Sequence, residues 1–367
     1  MNFSADDTRY MALALQLAKR GLYTTQPNPR VGCVIVKHGQ IVGEGWHERA
    51  GEPHAEVYAL RQAAEQARDA DVYVTLEPCA HFGRTPPCAN ALVQAGVKRV
   101  VVAMLDPNPL VSGKGLAILQ QAGIETAIGL LETEAQALNP GFISVMQRQR
   151  PYMRLKSAMS LDGRTAMASG ESVWITGEAA RRDVQFWRAQ AGAVLTGINT
   201  VLFDDPSLNV RLTAAELGIQ GNVRHPVRVI LDSGLRIPLS AKLLQLDGLV
   251  RIYTCSQDLD KITQLTALGV KVRQFCGAQL DLLQVVNALA EDGINEVHVE
   301  AGAILSGALV QAQLVDEFLL YIAPHLMGSE ARPLFELPIS HMANRQNLKI
   351  YEVRAIGQDW RICASLP

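Results

Sequence analysis

Segments with strand character alternate with segments of helical period along most of this 367-residue chain, and that alternation restricts its fold more than any other feature. The runs 31–36 and 41–46 are strand-like and flank a His-Gly turn, the signal of a hairpin. Residues 54–67 follow with helical spacing, 71–76 read as a buried strand, and 88–96 as a helix closed by Gly96. A further strand over 98–104 leads to the loop 106–109 (Asp-Pro-Asn-Pro) and a helix over 115–122. Strands and helices of these lengths in alternation predict an α/β sheet with helices on its faces.

The polar stretch 146–151 (Met-Gln-Arg-Gln-Arg-Pro) interrupts the pattern and is expected to be a linker. Beyond it, strands are predicted at 152–158, 193–196, 227–232, 249–254 and 296–300, with helices at 177–190, 258–268, 279–292 and 303–312. The last runs, 317–323, 348–355 and 359–364, have the look of antiparallel strands. The halves show no internal repeat, so two different domains are expected, 1–146 and 151–367.

Composition removes several function classes. Apolar residues make up 48% and charged residues 19%, which suits a globular enzyme and not a disordered chain. A net charge of −2, a pI near 6.5 and the lack of a basic run weigh against a nucleic-acid partner. The N-terminal segment reads as an amphipathic helix with aspartates where a signal peptide would be basic, and no run is apolar enough to span a membrane. Six scattered cysteines do not form a disulfide framework, so a reducing, cytoplasmic setting is expected, where thiols are candidates for metal.

The chemistry concentrates in four residues. His54 and Glu56 open a predicted helix, Cys79 follows Pro78 after a strand, and Cys88 opens the next helix. Catalytic zinc takes three protein ligands and keeps one position open, and one imidazole with two thiolates is a suitable set. A cysteine at a helix N-terminus favours the thiolate. Glu56, two residues past the histidine, is placed to move the protons of a metal-activated water. The competing readings are a structural zinc, with His81 as a fourth ligand, or two unrelated buried cysteines; neither gives Glu56 a role.

This H-x-E…P-C…C arrangement resembles the cytidine-deaminase superfamily, with one departure: eight residues, not two, separate Cys79 and Cys88. The loop 75–88 (Thr-Leu-Glu-Pro-Cys-Ala-His-Phe-Gly-Arg-Thr-Pro-Pro-Cys) and the segment 27–32 (Pro-Asn-Pro-Arg-Val-Gly) are similar to those of the bifunctional deaminase/reductases of riboflavin biosynthesis. The resemblance covers essentially the whole chain. It implies a cytidine-deaminase-like three-layer α/β/α domain followed by a dihydrofolate-reductase-like α/β domain, with Zn2+ in the first and NADPH in the second. It also implies that Asn28, His47, His81 and Arg84 line a site for a phosphoribosylamino-pyrimidine. On their residue types alone, Asn28 can be a pyrimidine reader or a turn former before Pro29, and Arg84 a phosphate partner or a solvated cation.

In the second half no G-x-G-x-x-G follows a strand, so the usual dinucleotide fingerprint is missing. A strand does run through Gly302 into a helix, which suits either a phosphate cradle or a tight packing turn. The segments 156–164, 169–172 and 200–211 resemble the reductase half of the same family. That resemblance implies cofactor contacts at Ala158, Trp174, Thr200, Asp204, Ser233 and the run Gly302, Ala303, Ile304, Leu305, Ser306, Gly307, Ala308. It implies substrate contacts at Ser172, Arg188, Leu208, Arg211 and Glu300, with Lys156 nearby. Arg188 and Arg211 suit a phosphate because a guanidinium binds it through two bonds. The implied reaction passes a hydride to C1′ of the ring-opened ribosylamino group and leaves a ribityl chain. The expected partner is a phosphorylated pyrimidine, with no nucleic acid and no membrane, in a chain that forms a dimer or tetramer or stands alone. The alternatives are a nucleoside or RNA deaminase with a C-terminal binding module, and a zinc-stabilised interaction protein without activity.

Overall fold

The computed structural model describes residues 3–80 and 87–367. The chain folds as two compact units, Met1–Gln149 with Gly218–Gln220, and Arg150–Leu217 with Gly221–Pro367. No helix among the described residues is long and apolar enough to cross a membrane.

In the first unit the elements run α1 (Ala5–Lys19), β1 (Gly32–Lys37), β2 (Gln40–Trp46), α2 (Ala55–Ala63), β3 (Asp71–Val74), α3 (Cys88–Ala95), β4 (Arg99–Val102), α4 (Lys114–Gln121), β5 (Glu125–Ile128), α5 (Glu132–Leu138) and α6 (Pro140–Arg148). The sheet order is β2-β1-β3-β4-β5, antiparallel through β1 and parallel from β3 onward. His38 and Gly39 both have positive φ, which gives the β1–β2 turn the twist a two-residue hairpin needs. At the start of α1, Ser4 and Asp7 cap each other's backbone amides.

Glycines show why helices cover both faces. Gly32 pairs with Trp46, and Gly45 with Cys33, so Gly32 and Gly45 look to opposite sides of the sheet. A Cβ on Gly32 would lie 2.0 Å from the Ala14 carbonyl oxygen of α1, and one on Gly45 2.3 Å from the Ala55 carbonyl oxygen of α2. Helix backbone therefore presses on each face at a glycine, and the layers are α/β/α.

The second unit contains β6 (Tyr152–Ser160), β7 (Arg164–Ala166), α7 (Glu178–Gln190), β8 (Ala193–Gly197), α8 (Ile198–Asp204), α9 (Ala214–Leu217), β9 (Val227–Leu231), β10 (Val250–Thr254), α10 (Leu259–Ala267), β11 (Lys271–Gln274), α11 (Leu282–Glu291), β12 (Glu296–Glu300), α12 (Ala303–Gln311), β13 (Glu317–Ala323), β14 (Arg332–Pro333), β15 (Lys349–Ile356) and β16 (Asp359–Ser365). Its main sheet is ordered β11-β10-β9-β8-β12-β6-β13-β16-β15, parallel from β11 to β13 and antiparallel over the last three strands. One face is apolar, with Met153, Leu155, Val297, Val299, Phe318 and Leu320 in one buried cluster. Alternate residues of the same strands, Arg154, Lys156, His298 and Glu300, occupy the other face. There Asp183 of α7 accepts from the Tyr321 hydroxyl at 2.5 Å and from Arg361 at 2.8 Å, fastening the helix to β13 and β16.

Three expectations change. The stretch 146–151 is no free linker: α6 runs through Met146–Arg148 and ends at Gln149, whose φ is 56°. Glutamine and arginine are good helix formers, and their polarity here marks a helix face turned from the core while Phe142 and Ile143 pack against it. The helix expected over 54–67 ends at Ala63, with Ala64 at φ 47° and a 3-10 turn to Ala67. The short strands β5 and β11 and the helices α5, α6 and α8 are additional to the expected elements.

Candidate active sites

In the first unit, His54 is the cap residue of α2 and makes no capping bond with its side chain, so its ring is available elsewhere. Cys79 lies beyond β3, and Cys88 is the first residue of α3. The ligand atoms of the three residues all lie within 4.8 Å of one another. The His54 Nδ1 is 3.6 Å from the Cys79 Sγ and 3.3 Å from the Cys88 Sγ. Bonds of about 2.3 Å to sulfur and about 2.0 Å to nitrogen at tetrahedral angles put nitrogen and sulfur about 3.5 Å apart around zinc. The donor set and its spacing fit that ion. The Cys88 amide donates to the Cys79 Sγ at 3.3 Å, and the Cys79 thiol is held well below its usual range, first by the hydrogen bond from the Cys88 thiol and then by His54. A hydrogen bond to Cys79 in turn raises His54.

Glu56 lies in the first turn of α2, 3% exposed, and burial pushes its carboxyl up to about 7. A carboxyl that titrates near neutrality both accepts and returns a proton, which is what a shuttle requires. His47 is buried and stands edge-on to His54, ring centroids 5.7 Å apart. Its Nδ1 is 3.1 Å from the Pro53 carbonyl oxygen and its Nε2 3.1 Å from the Asn28 side-chain nitrogen. Burial lowers its pKa. A neutral ring that donates from Nδ1 and accepts at Nε2 satisfies both contacts and fixes the orientation of the Asn28 amide. Asn28, His47, His54 and Glu56 are thus gathered at one place, as expected; His81 and Arg84 lie outside the described residues.

Two residues that hold this site carry no sequence signal. The buried Glu77 accepts from the amides of Asp106 and Gly113 at one oxygen and from Gly115 and Leu116 at the other. It ties the loop after β4 beneath Pro78, whose carbonyl oxygen would lie 1.9 Å from a Cβ on Gly115. The buried Asn139 exchanges hydrogen bonds with the backbone of Arg30 and so fastens the segment that carries Asn28. A single Glu before Pro, or a single Asn between two helices, looks ordinary in sequence because its partners lie far along the chain.

Of the expected cofactor residues, Thr200, Asp204, Ser233 and Gly302 lie beyond the carboxyl ends of the adjacent parallel strands β8, β9 and β12. Thr200 and Asp204 lie on α8 after β8, Ser233 follows β9, and Gly302 follows β12 and caps α12. In open α/β sheets, ligands bind at such an edge. The caps of α8 and α12 are Gly197 and Gly302, neither helix start has a side-chain capping bond, and a Cβ on Gly302 would meet nothing within 4 Å. The first amides of α12, at Ala303, Ile304 and Leu305, are open to an anion. Further along the expected run, the Ser306 hydroxyl donates to the Ala301 carbonyl oxygen, and a Cβ on Gly307 would lie 2.1 Å from the Glu336 carbonyl oxygen, so Gly307 answers to packing. The Ser233 hydroxyl accepts from the Leu280 amide. Ala158 packs beside Tyr321 on the α7 face.

Glu300 ends β12 opposite Lys156 of β6. Arg188 grips its carboxylate through two bonds, 2.5 Å and 2.8 Å, and donates a third to the Asn209 carbonyl oxygen. Burial opposes the charge on Glu300, yet Arg188 overrides it and holds the carboxyl well below its usual range. Burial lowers the neighbouring Lys156. The fork of the Arg188 guanidinium, expected to suit a phosphate, is engaged by the Glu300 carboxylate in this structure. Leu208 is 2% exposed with φ 51°, so its side chain belongs to the core. The Ser172 hydroxyl lies 3.5 Å from Asp204. Trp174 and Arg211 line one cavity.

Comparison with known proteins matches both units. Residues 4–104 match the family model of the cytidine and deoxycytidylate deaminase zinc-binding region, and residues 151–362 match that of the RibD C-terminal domain. The chain is similar to the riboflavin biosynthesis protein RibD of Escherichia coli strain K12, 51% identical over 98% of this chain and 99% of that one. To the same protein of Haemophilus influenzae it is 49% identical, over 99% and 98%. Among solved structures it is similar to Acinetobacter baumannii RibD, with a TM-score of 0.92, 51% identity and 99% of each chain covered. A Thermotoga maritima diaminohydroxyphosphoribosylaminopyrimidine deaminase/5-amino-6-(5-phosphoribosylamino)uracil reductase superposes with a TM-score of 0.87 at 31% identity, again over 99% of each chain.

Proposed function

The chain belongs to the RibD family of riboflavin-biosynthesis proteins and is a bifunctional deaminase and reductase; from that premise we propose how its residues divide the two reactions. Deamination of 2,5-diamino-6-(5-phosphoribosylamino)pyrimidin-4-one belongs to residues 1–146, with one Zn2+ held by His54, Cys79 and Cys88. Bound there, zinc supplies a Lewis acid that brings the pKa of a water toward about 7. Glu56 takes one proton from the attacking water and passes it to the ring nitrogen, then takes the remaining proton of the newly formed hydroxyl and passes it to the amino group, which departs as ammonia. Asn28 reads the pyrimidine edge from a position set by His47, and His81 and Arg84 complete the site.

Reduction belongs to residues 151–367, with NADPH as the source of hydride. The first amides of α12, together with Thr200, Asp204, Ser233, Ala158 and Trp174, bind the cofactor. Ser172, Arg188, Arg211, Glu300 and the Leu208 backbone bind the substrate, and Lys156 stands beside its reacting end. All six cysteines are unpaired, which supports a reducing, cytoplasmic setting.

The observation that carries this division is the convergence of His54, Cys79 and Cys88 on one point beside a buried Glu56. Ammonia release and NADPH absorbance, followed separately on the zinc-loaded protein, test it. Glu56→Gln is expected to slow ammonia release by about 10²- to 10⁴-fold while reduction of the deaminated substrate continues. Loss of both activities in a folded variant would refute separate sites.

A further inference from the structure

His298 is the middle residue of β12, between Glu296 and Glu300 on the sheet face opposite the Met153 cluster. It pairs in register with Arg154 of β6 on one side and Val194 of β8 on the other, and none of its surface is exposed. Apolar clusters flank it on that face, Val194 with Ile230 and Ile252 toward β9 and β10, and Leu319 with Tyr321 and Val184 toward β13. Neither ring nitrogen has a hydrogen-bond partner among the described residues. The Nε2 stands 3.5 Å from the Glu300 Oε1, longer than a good hydrogen bond. Burial, helped by Arg154, Arg188 and Lys156 and opposed by Glu300, lowers the pKa of the ring to about 3. The imidazole is therefore neutral and carries a single N–H.

A buried polar group without a partner costs stability. A leucine of comparable volume would join the flanking clusters without that cost, so packing alone does not account for an imidazole at this position. What the imidazole adds is a dipole set behind Glu300. The fork of Arg188 takes one lone pair on each Glu300 oxygen and fixes the plane of the carboxylate. Each oxygen keeps a further lone pair. With its hydrogen on Nε2, the ring of His298 favours negative charge at Oε1 and opposes rotation of the carboxylate about its last bond. The free lone pair of Oε2 is then the one that a substrate hydroxyl meets.

We propose that His298 is a positioning residue of the reductase: without touching substrate, it backs the Glu300 carboxylate at Oε1 and so sets the angle at which Oε2 receives the substrate. The proposal rests on the reading above that Glu300 binds the substrate of reduction. The orphaned ring nitrogens are on this account a stability cost retained for the aim of a neighbouring side chain.

The test compares the unaltered full chain with His298→Leu, Glu300→Gln and the double variant, and uses His298→Gln as the rescue. In turnover of the deaminated substrate, His298→Leu is expected to lower kcat/KM by about 10-fold, with KM for NADPH and ammonia release unchanged. Its denaturant midpoint is expected to equal or exceed that of the unaltered protein, because an orphaned polar group has been removed. His298→Gln, whose amide nitrogen reaches the place of Nε2, should recover part of the loss. In the Glu300→Gln background His298→Leu should cost nothing further, since the group it acts through is gone. Undiminished reduction by His298→Leu, the same loss repeated in the Glu300→Gln background, or a loss that tracks a lowered midpoint and is not eased by glutamine would each overturn the proposal. Reduction undisturbed by Glu300→Gln itself would refute the substrate reading of Glu300, and the proposal with it, a failure distinct from the other three.

Discussion

The two sites are built from different materials. In the first unit four side chains converge, and in the proposed deaminase site the atoms of His54, Cys79, Cys88 and Glu56 would supply the chemistry. In the second unit much of the proposed cofactor site is backbone: the edge of a parallel sheet, two glycine-capped helices and the open amides of α12. A site made of side chains constrains residue types at fixed spacings. A site made of backbone constrains only where glycine must be, and many sequences meet that demand.

The contrast can be broken most sharply at the metal cluster. Cys88→Ala is expected to lose bound zinc by elemental analysis and ammonia release by at least the roughly 10²- to 10⁴-fold set for Glu56→Gln, with NADPH oxidation retained. If zinc and deamination survive, the side-chain account of that site fails. Next comes the charge that the second unit does bury. Glu300→Gln leaves Arg188, whose side chain is 11% exposed, without its carboxylate, and breaking such a buried pair costs about 3–5 kcal/mol. A lower denaturant midpoint together with impaired reduction is expected. An unchanged midpoint would show that the pair is not structural.

A smaller effect separates backbone that packs from backbone that binds. Gly307→Ala drives a Cβ to 2.1 Å from the Glu336 carbonyl oxygen and is expected to cost about 1–3 kcal/mol in thermal or chemical unfolding. Gly302→Ala meets nothing within 4 Å, so stability should barely move while KM for NADPH rises. The reverse pattern would put the cradle further into α12.

The smallest effect is one of pH. In the first unit Asp7 accepts from Tyr73, Arg99 and the Ser4 amide, and its pKa falls to about 2 although burial opposes this. A carboxyl lowered on folding stabilises the protein above its unfolded pKa of about 3.9, and that contribution disappears as pH drops through about 2. Unfolding midpoints of the first unit should therefore fall between pH 4 and 2, and Asp7→Asn should flatten that slope. Glu300 of the second unit is likewise held well below its usual range by Arg188, so its contribution to stability should likewise be lost on acidification.

Much of the architecture was legible in sequence. The strand β12 and the first strand of the C-terminal antiparallel set, β13, fall where the pattern puts them, β12 because valines alternate with polar residues and β13 because 318–323 is an unbroken apolar run. The edge strands β5 and β11 escaped notice since Glu125-Thr-Ala-Ile and Lys271-Val-Arg-Gln carry polar residues on a half-solvated edge. α6 was hidden by the polarity of its outer face. Of the candidate site, the cluster of His54, Cys79, Cys88 and Glu56 was legible because metal chemistry would need those atoms whatever surrounds them. Glu77 and Asn139 were not, because their backbone partners lie far along the chain.

By itself the sequence determined the α/β class, the two-unit organisation and the candidate metal-ligating triad, since each rests on local periodicity or on ligand type. Only the tertiary structure decided that the fork of Arg188 closes on Glu300, that Gly307 serves packing while Gly302 stands open, and that Glu56 titrates near neutrality. A hydrogen-bond partner, a free volume and a local dielectric are properties of what folds against a residue, and the residue's own position in the chain does not carry them.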